Sequence, residues 1–165
     1  MSCCDRQSRK AVYFQLRDYL KSPEGKTKYG DQKITKITDN RIKLNKEENE
    51  KQEEFKTQFH FDNKDTLGAT IEYTKKLKQK FTFIDMASSN PKQFGGGCRT
   101  GAMAQEEDLC RRTTLSNCFE LTQPPVPMYG GIFCENIYIL AKGENEDYDW
   151  YDHRSEEHTS ELQSP

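Results

Sequence analysis

Seven residues separate Gly97, the last of three consecutive glycines (Gly95, Gly96, Gly97), from Gln105, and Glu106 and Glu107 follow that Gln directly. Both groups are costly. Glycines lose more backbone freedom on folding than any other residue, and adjacent carboxylates repel. In a desolvated pocket such a pair pushes at least one pKa upward. A carboxylic acid that keeps its proton near neutral pH can serve as general acid at the leaving oxygen of a glycosidic bond. A two-carboxylate glycosidase sets its acids well apart across the scissile bond. Sequence neighbours do not easily reach that separation, so unequal roles are expected, one acid and one holder of hydroxyls. The plainer reading of Glu106-Glu107-Asp108 is an acidic first helical turn complementing the macrodipole.

The glycines admit a second chemistry. Without Cβ atoms, backbone N–H groups can approach a ligand, and a helix N-terminus just beyond adds partial positive charge, which suits phosphate. A glycine triplet serves equally as a flexible connector.

The surrounding elements must position these groups. Val12, Leu16, Tyr19 and Leu20 form a helical stripe between Ser8 and Lys21, which SPEG at Ser22 to Gly25 ends. Lys33 to Leu44 alternates around an Asp-Asn break and predicts a hairpin or two short strands. The polar run Asn45 to Glu54 has no apolar member and reads as a solvated segment. Thr57 to Asp62 predicts a short strand. Asp65 to Gln79 predicts a helix capped near Asp65, with Leu67, Ile71 and Leu77 on its inner side, and Lys80 to Ala87 predicts another strand. Strand, helix, strand is a βαβ crossover, so the expected fold class is α/β with an at least partly parallel sheet. A helix is expected over Gly101 to Arg112, an extended connection over Thr122 to Gly131, and a strand over Ile132 to Ala141. The glycines then fall between a strand's carboxyl end and a helix, where open α/β sheets bind ligands.

Composition narrows the classes. The chain has 165 residues, the size of one modest domain. Lys plus Arg number 25 and Asp plus Glu 27, so no basic excess argues for direct nucleic-acid binding. With 33% apolar and 32% charged residues the chain lies at the polar edge of the globular range, although nine Phe and eight Tyr supply a core. No apolar run approaches the roughly 20 residues needed to cross a bilayer, and the charged start MSCCDRQSRK is no secretory signal. No membrane contact is expected. The six cysteines contain no C-x-x-C pair, which argues against zinc and for reduced thiols in a cytoplasmic or nuclear protein.

Residues Arg154 to Ser164, RSEEHTSELQS, are similar to the translation of a widely used sequencing-adapter oligonucleotide. On that reading 154–165 is an artefactual tail and His158 carries no meaning. Setting aside its one Arg and three Glu leaves 24 residues of each sign. The expected organisation is an N-terminal helical and strand region over 1–60, a core with the glycine and glutamate run over 61–153, and the tail. The natural protein is expected to continue past His153.

The stretch FGGGCRTGAMAQEEDLCRRTTL resembles poly(ADP-ribose) glycohydrolases, and its surroundings are most similar to the microbial-type branch. The family signature is three glycines, a short spacer and Gln-Glu-Glu, and a chance match at fixed spacing is on the order of one in ten million per start position. FIDMASSNP is similar to the family's strand and Asn-rich turn, GAMAQEEDLCRRTTL to the microbial pattern around the glutamates, and YGGIFCENIYIL to the strand that follows. The likeness runs loosely from Asp65 to Leu140.

This resemblance implies a macrodomain-like fold, a mixed and mainly parallel sheet flanked by helices, here incomplete. It implies hydrolysis of the ribose–ribose O-glycosidic bond in poly(ADP-ribose), without cofactor or metal, because a proton handles the leaving group. Glu107 is implied as the catalytic acid and Glu106 as the holder of ribose hydroxyls. Gly95, Gly96 and Gly97 are implied as the loop at the ribose and diphosphate, and Gln105 as the anchor of the turn. Lys92, Gln93 and Phe94 are inserted relative to many members, so Ser88 and Asn90 both stand for the family's ribose-contacting Asn. Asp85 replaces an Asn common in the branch and joins the substrate-binding candidates. The implied partners are poly(ADP-ribose) or ADP-ribosylated proteins, met by a monomer.

A second, glycine-rich phosphate loop has no counterpart before residue 153. The 165-residue chain alone is therefore expected to be inactive and to bind ADP-ribose poorly. The competing reading is a catalytically silent ADP-ribose-binding macrodomain, against which the two glutamates argue. Lys75 to Lys80, KKLKQK, is read as a solvated helix end, with contact to polymer phosphates as the alternative.

Overall fold

The computed structural model describes residues 5–37, 58–86, 96–122 and 131–151. Helix α1 (Arg6–Lys21) starts where the Asp5 carboxylate accepts from Ser8 N and buries Tyr13, Leu16 and Leu20. Ser22 closes it by donating its N–H to Asp18 O and Tyr19 O, and the same side chain caps α2 (Pro23–Tyr29) by accepting from Gly25 N. SPEG is thus both a stop and a start. Proline's missing N–H and fixed φ are harmful inside a helix but suit its first turn.

Strand β1 (Lys33–Ile37) pairs antiparallel with β2 (Gly131–Glu135), Lys33 opposite Glu135 and Ile37 opposite Gly131. This two-stranded antiparallel ladder is the only sheet among the described residues, which corrects the expected parallel sheet and its βαβ crossover. Neither 58–62 nor 80–86 forms a strand. Alternating aromatic and β-branched residues report a side-chain pattern, whereas a strand exists only where a second backbone meets its N–H and C=O groups. β2 also stops short of the expected Ala141. Asn136 turns to φ 59°, and beyond it only single bridges form, Ile139 with Thr113 and Ala141 with Trp150. The second half of the expected hairpin, the polar run 45–54, the connection 123–130 and the tail lie outside the described residues.

Helix α3 (Thr66–Leu77) is capped by Asp65 as expected. Leu67 is fully buried and Ile71 packs at the core margin. Leu77 is 49% exposed, because α3 ends there in the left-handed C-cap of Lys78. After a 3-10 turn over Cys98–Thr100 comes α4 (Gln105–Arg112), then α5 (Leu115–Leu121), for which the sequence reading had no helix. Helix α4 contributes to the core of the described residues. Its Leu109 and Cys110 join Tyr13, Leu67, Leu115 and Ile139 in one core cluster, while Leu16, Leu20, Tyr29, Tyr138 and Leu140 form a second. No helix among the described residues is long and apolar enough to cross a membrane.

Candidate active site

Because α4 is covered on most sides, its polar residues are buried along with its apolar ones. Glu106 and Glu107 are each 8% exposed, and Arg111 and Arg112 are nearly inaccessible. Burying ionisable groups is unfavourable unless they are paired or their protonation shifts. The basic half of the helix meets that demand with partners, whereas in the acidic half Glu107 Oε2 has no hydrogen-bond partner among the described residues.

At the start of α4 the Gln105 amide holds three points. Its Oε1 accepts from Met86 N at 2.8 Å, and its Nε2 donates to Ile84 O at 2.8 Å and to Thr66 Oγ1 at 3.2 Å. The C=O of one residue and the N–H two residues on are what a parallel strand would take from the run opposite Asp85. One side chain therefore replaces the missing strand and fixes the backbone on either side of Asp85. The contacts of the Gln105 side chain tie 84–86 and α3 to the start of α4.

Asp85 is brought to both glutamates. Burial, together with the negative charges of Glu106 and Glu107, raises its pKa from 3.8 to about 7. Asp85 Oδ1 and Glu107 Oε2 are both buried without a hydrogen-bond partner among the described residues. Acceptor oxygens left so are disfavoured by about 1–3 kcal/mol each until a donor arrives. A sugar hydroxyl is such a donor and a phosphate oxygen is not.

The glycine run meets the acid directly. A Cβ on Gly97 would overlap Glu107 Oε1 and lie 2.9 Å from its Cγ. Only a residue without a side chain lets this carboxylate rest on the turn. Gly97 O is tied down by Thr100 N at 3.1 Å, Ala102 N at 3.0 Å and Thr100 Oγ1 at 3.0 Å. Gly101, at φ 73°, completes the turn in a conformation that favours glycine, with Arg6 O where a Cβ would go. Gly96 adjoins this contact and is half-buried. Gly95, Ser88 and Asn90 lie outside the described residues.

Arginines hold the frame, and the sequence reading missed them. Arg6 Nε donates to Thr100 O at 2.6 Å and Arg9 Nε to Gly101 O at 3.0 Å, so α1 grips the turn behind Gly97. Arg111 Nη1 donates to Ala102 O at 2.8 Å and its Nε to Tyr148 Oη at 3.1 Å. Arg112 Nη1 bridges Asp108 Oδ2 at 2.8 Å and Asp65 Oδ2 at 3.1 Å, joining α4 to the capping residue of α3. The i,i+4 spacing of Asp108 and Arg112 was a readable signal for one of these contacts. Among the described residues no group of His, Cys, Asp and Glu side chains is arranged to hold a metal ion.

A buried acid pair on a helix, a Cβ-free turn against one of the acids, and a third carboxyl whose pKa is raised to about 7 bring together groups chemically able to exchange protons with a hydroxylated ligand. The family model for the microbial-type PARG catalytic domain matches residues 8–129, and the chain belongs to that family of poly(ADP-ribose) glycohydrolases. The matched segment contains Asp85, the glycine run and Gln105-Glu106-Glu107. Neither the curated proteins nor the solved structures contain a match.

Proposed function

We propose that this protein hydrolyses the ribose–ribose O-glycosidic bond of poly(ADP-ribose) and releases ADP-ribose, with Glu107 as the residue that moves the proton. In the first step the Glu107 carboxylic acid gives its proton to the bridging oxygen. The bond from that oxygen to the anomeric carbon breaks, the remaining chain leaves as an alcohol, and an oxocarbenium-like centre develops. The resulting Glu107 carboxylate then takes a proton from water as that oxygen bonds the anomeric carbon, restoring the acid. Glu106 and Asp85 accept hydrogen bonds from ribose hydroxyls and hold the linkage over Glu107. The backbone at Gly95 to Gly97 lies along the adjoining ribose and diphosphate.

One observation carries this reading: the Glu107 carboxyl group is seated on Gly97 with Oε2 buried and unpaired among the described residues, so that no protein group competes with the substrate's bridging oxygen for a proton held there. The family supports the substrate class. The test is release of ADP-ribose from purified polymer by the full-length gene product. Binding of ADP-ribose with no release by a folded protein would refute the hydrolase reading and leave a binding domain.

A further inference from the structure

We propose that the face formed by the C-terminal half of α3 and the runs beside it is a second contact for the polymer, holding phosphate and adenine of a unit away from the scissile bond; this rests on the substrate read above. Lys75 and Lys76 occupy the last turn of α3, Lys78 is its C-cap at φ 50°, and Lys80 follows, all exposed. No carboxylate pairs with any of them among the described residues, whereas Lys64 is committed to Asp62 and Glu72. Complementing the negative end of the helix dipole accounts for Lys75 and Lys76. It does not account for Lys78 and Lys80 beyond the helix.

Nor does it account for the rings. Tyr73 lies between His60 and Phe81, with centroids 6.3 Å and 6.4 Å away, and Lys76 Nζ is 5.9 Å from its centre. Phe59 and Phe61, which flank His60 in the chain, are 79% and 95% exposed. Leaving two phenyl rings in water forgoes the stabilisation that burying their apolar surface would give. Exposed rings among lysines are the composition with which proteins hold single-stranded polyanions, rings stacking on bases and ammonium groups meeting phosphates. Poly(ADP-ribose) has both features in every unit.

The face and the site are joined by one helix and one run of chain. Phe81 lies four residues before Asp85, and Thr66 at the other end of α3 contacts Gln105. The helix between is roughly 18 Å long, so a neighbouring unit reaches this face while another is cleaved.

The test compares Lys75→Glu/Lys78→Glu and Phe61→Ala with the unmodified full-length gene product on long polymer and on a two-unit fragment. We expect KM for long polymer to rise about tenfold in each variant, with kcat/KM on the fragment unchanged. Equal losses on both substrates, or none on either, would overturn the proposal. If the unmodified protein cleaves neither substrate, the catalytic reading fails, and fluorescence anisotropy with labelled long polymer then decides this one. There a fivefold or greater weakening in both variants supports it. Competition by inorganic polyphosphate as effective as by polymer would reduce the face to charge attraction, and tighter binding of an adenine oligoribonucleotide would make its partner nucleic acid. Either result overturns it.

Discussion

The Glu107 carboxylate occupies the space in which a side chain on Gly97 would stand. Acid and turn are thus one unit, although ten positions apart in the chain. Gly97→Ala must push one off the other. Misplacing a reacting group by about an ångström costs on the order of a hundredfold in rate, and that loss in kcat is expected with the circular-dichroism spectrum preserved. A fully active alanine variant would show that Glu107 need not rest on the turn.

Glu107→Gln keeps the size of the side chain and removes its transferable proton. A fall of roughly 10²–10⁴ in kcat is expected, with ADP-ribose affinity by calorimetry largely unchanged. Glu106→Gln should act differently, raising KM as well as lowering kcat, because an amide accepts ribose hydroxyls less well than a carboxylate. Near-native turnover in Glu107→Gln would remove the mechanism.

Asp85 makes stability depend on pH. Its folded pKa of about 7 lies above 3.8, so between these values the folded state holds a proton that the unfolded state has lost. Stability therefore falls as pH rises through this window and stays low above it. Asp85→Asn removes the penalty. Thermal denaturation should show the variant melting above the unmodified protein at pH 8, with the difference vanishing below about pH 4. A difference independent of pH would mean that Asp85 is ionised throughout.

Arg112 is the buried cation between two helices, its side chain 4% exposed. Arg112→Met leaves Asp108 and Asp65 without their shared partner. Asp65 is half in water, so the loss is smaller than for a fully buried pair, about 2 kcal/mol. For a chain of this size that lowers Tm by about 4–8 °C. Adding Asp65→Asn to Arg112→Met should cost less than the two single changes combined, which a double-mutant cycle would measure.

Much of the local structure was legible in the chain. The stripe of Val12, Leu16, Tyr19 and Leu20 announced α1, and Asp65 ahead of its apolar periodicity announced α3, since a cap and a helical stripe are set by residues a few positions apart. The glycine run and Gln-Glu-Glu were legible as chemistry for the same reason. The sheet was less so: 80–86 has a strand's pattern, yet its Ile84 and Met86 are bonded to the Gln105 side chain, a partner nineteen or more residues away.

By itself, then, the sequence determined which residues could move a proton, where the glycines stand, and the family to which they belong. Tertiary structure alone decided that Asp85 joins the glutamates, that Gly97 and not merely a flexible loop seats Glu107, and that arginines from α1 and α4 hold the turn in place. Spacing and caps act over a turn or two of backbone. Burial, pKa and unpaired oxygens arise only when distant segments exclude water together, and no local pattern encodes which segments those are.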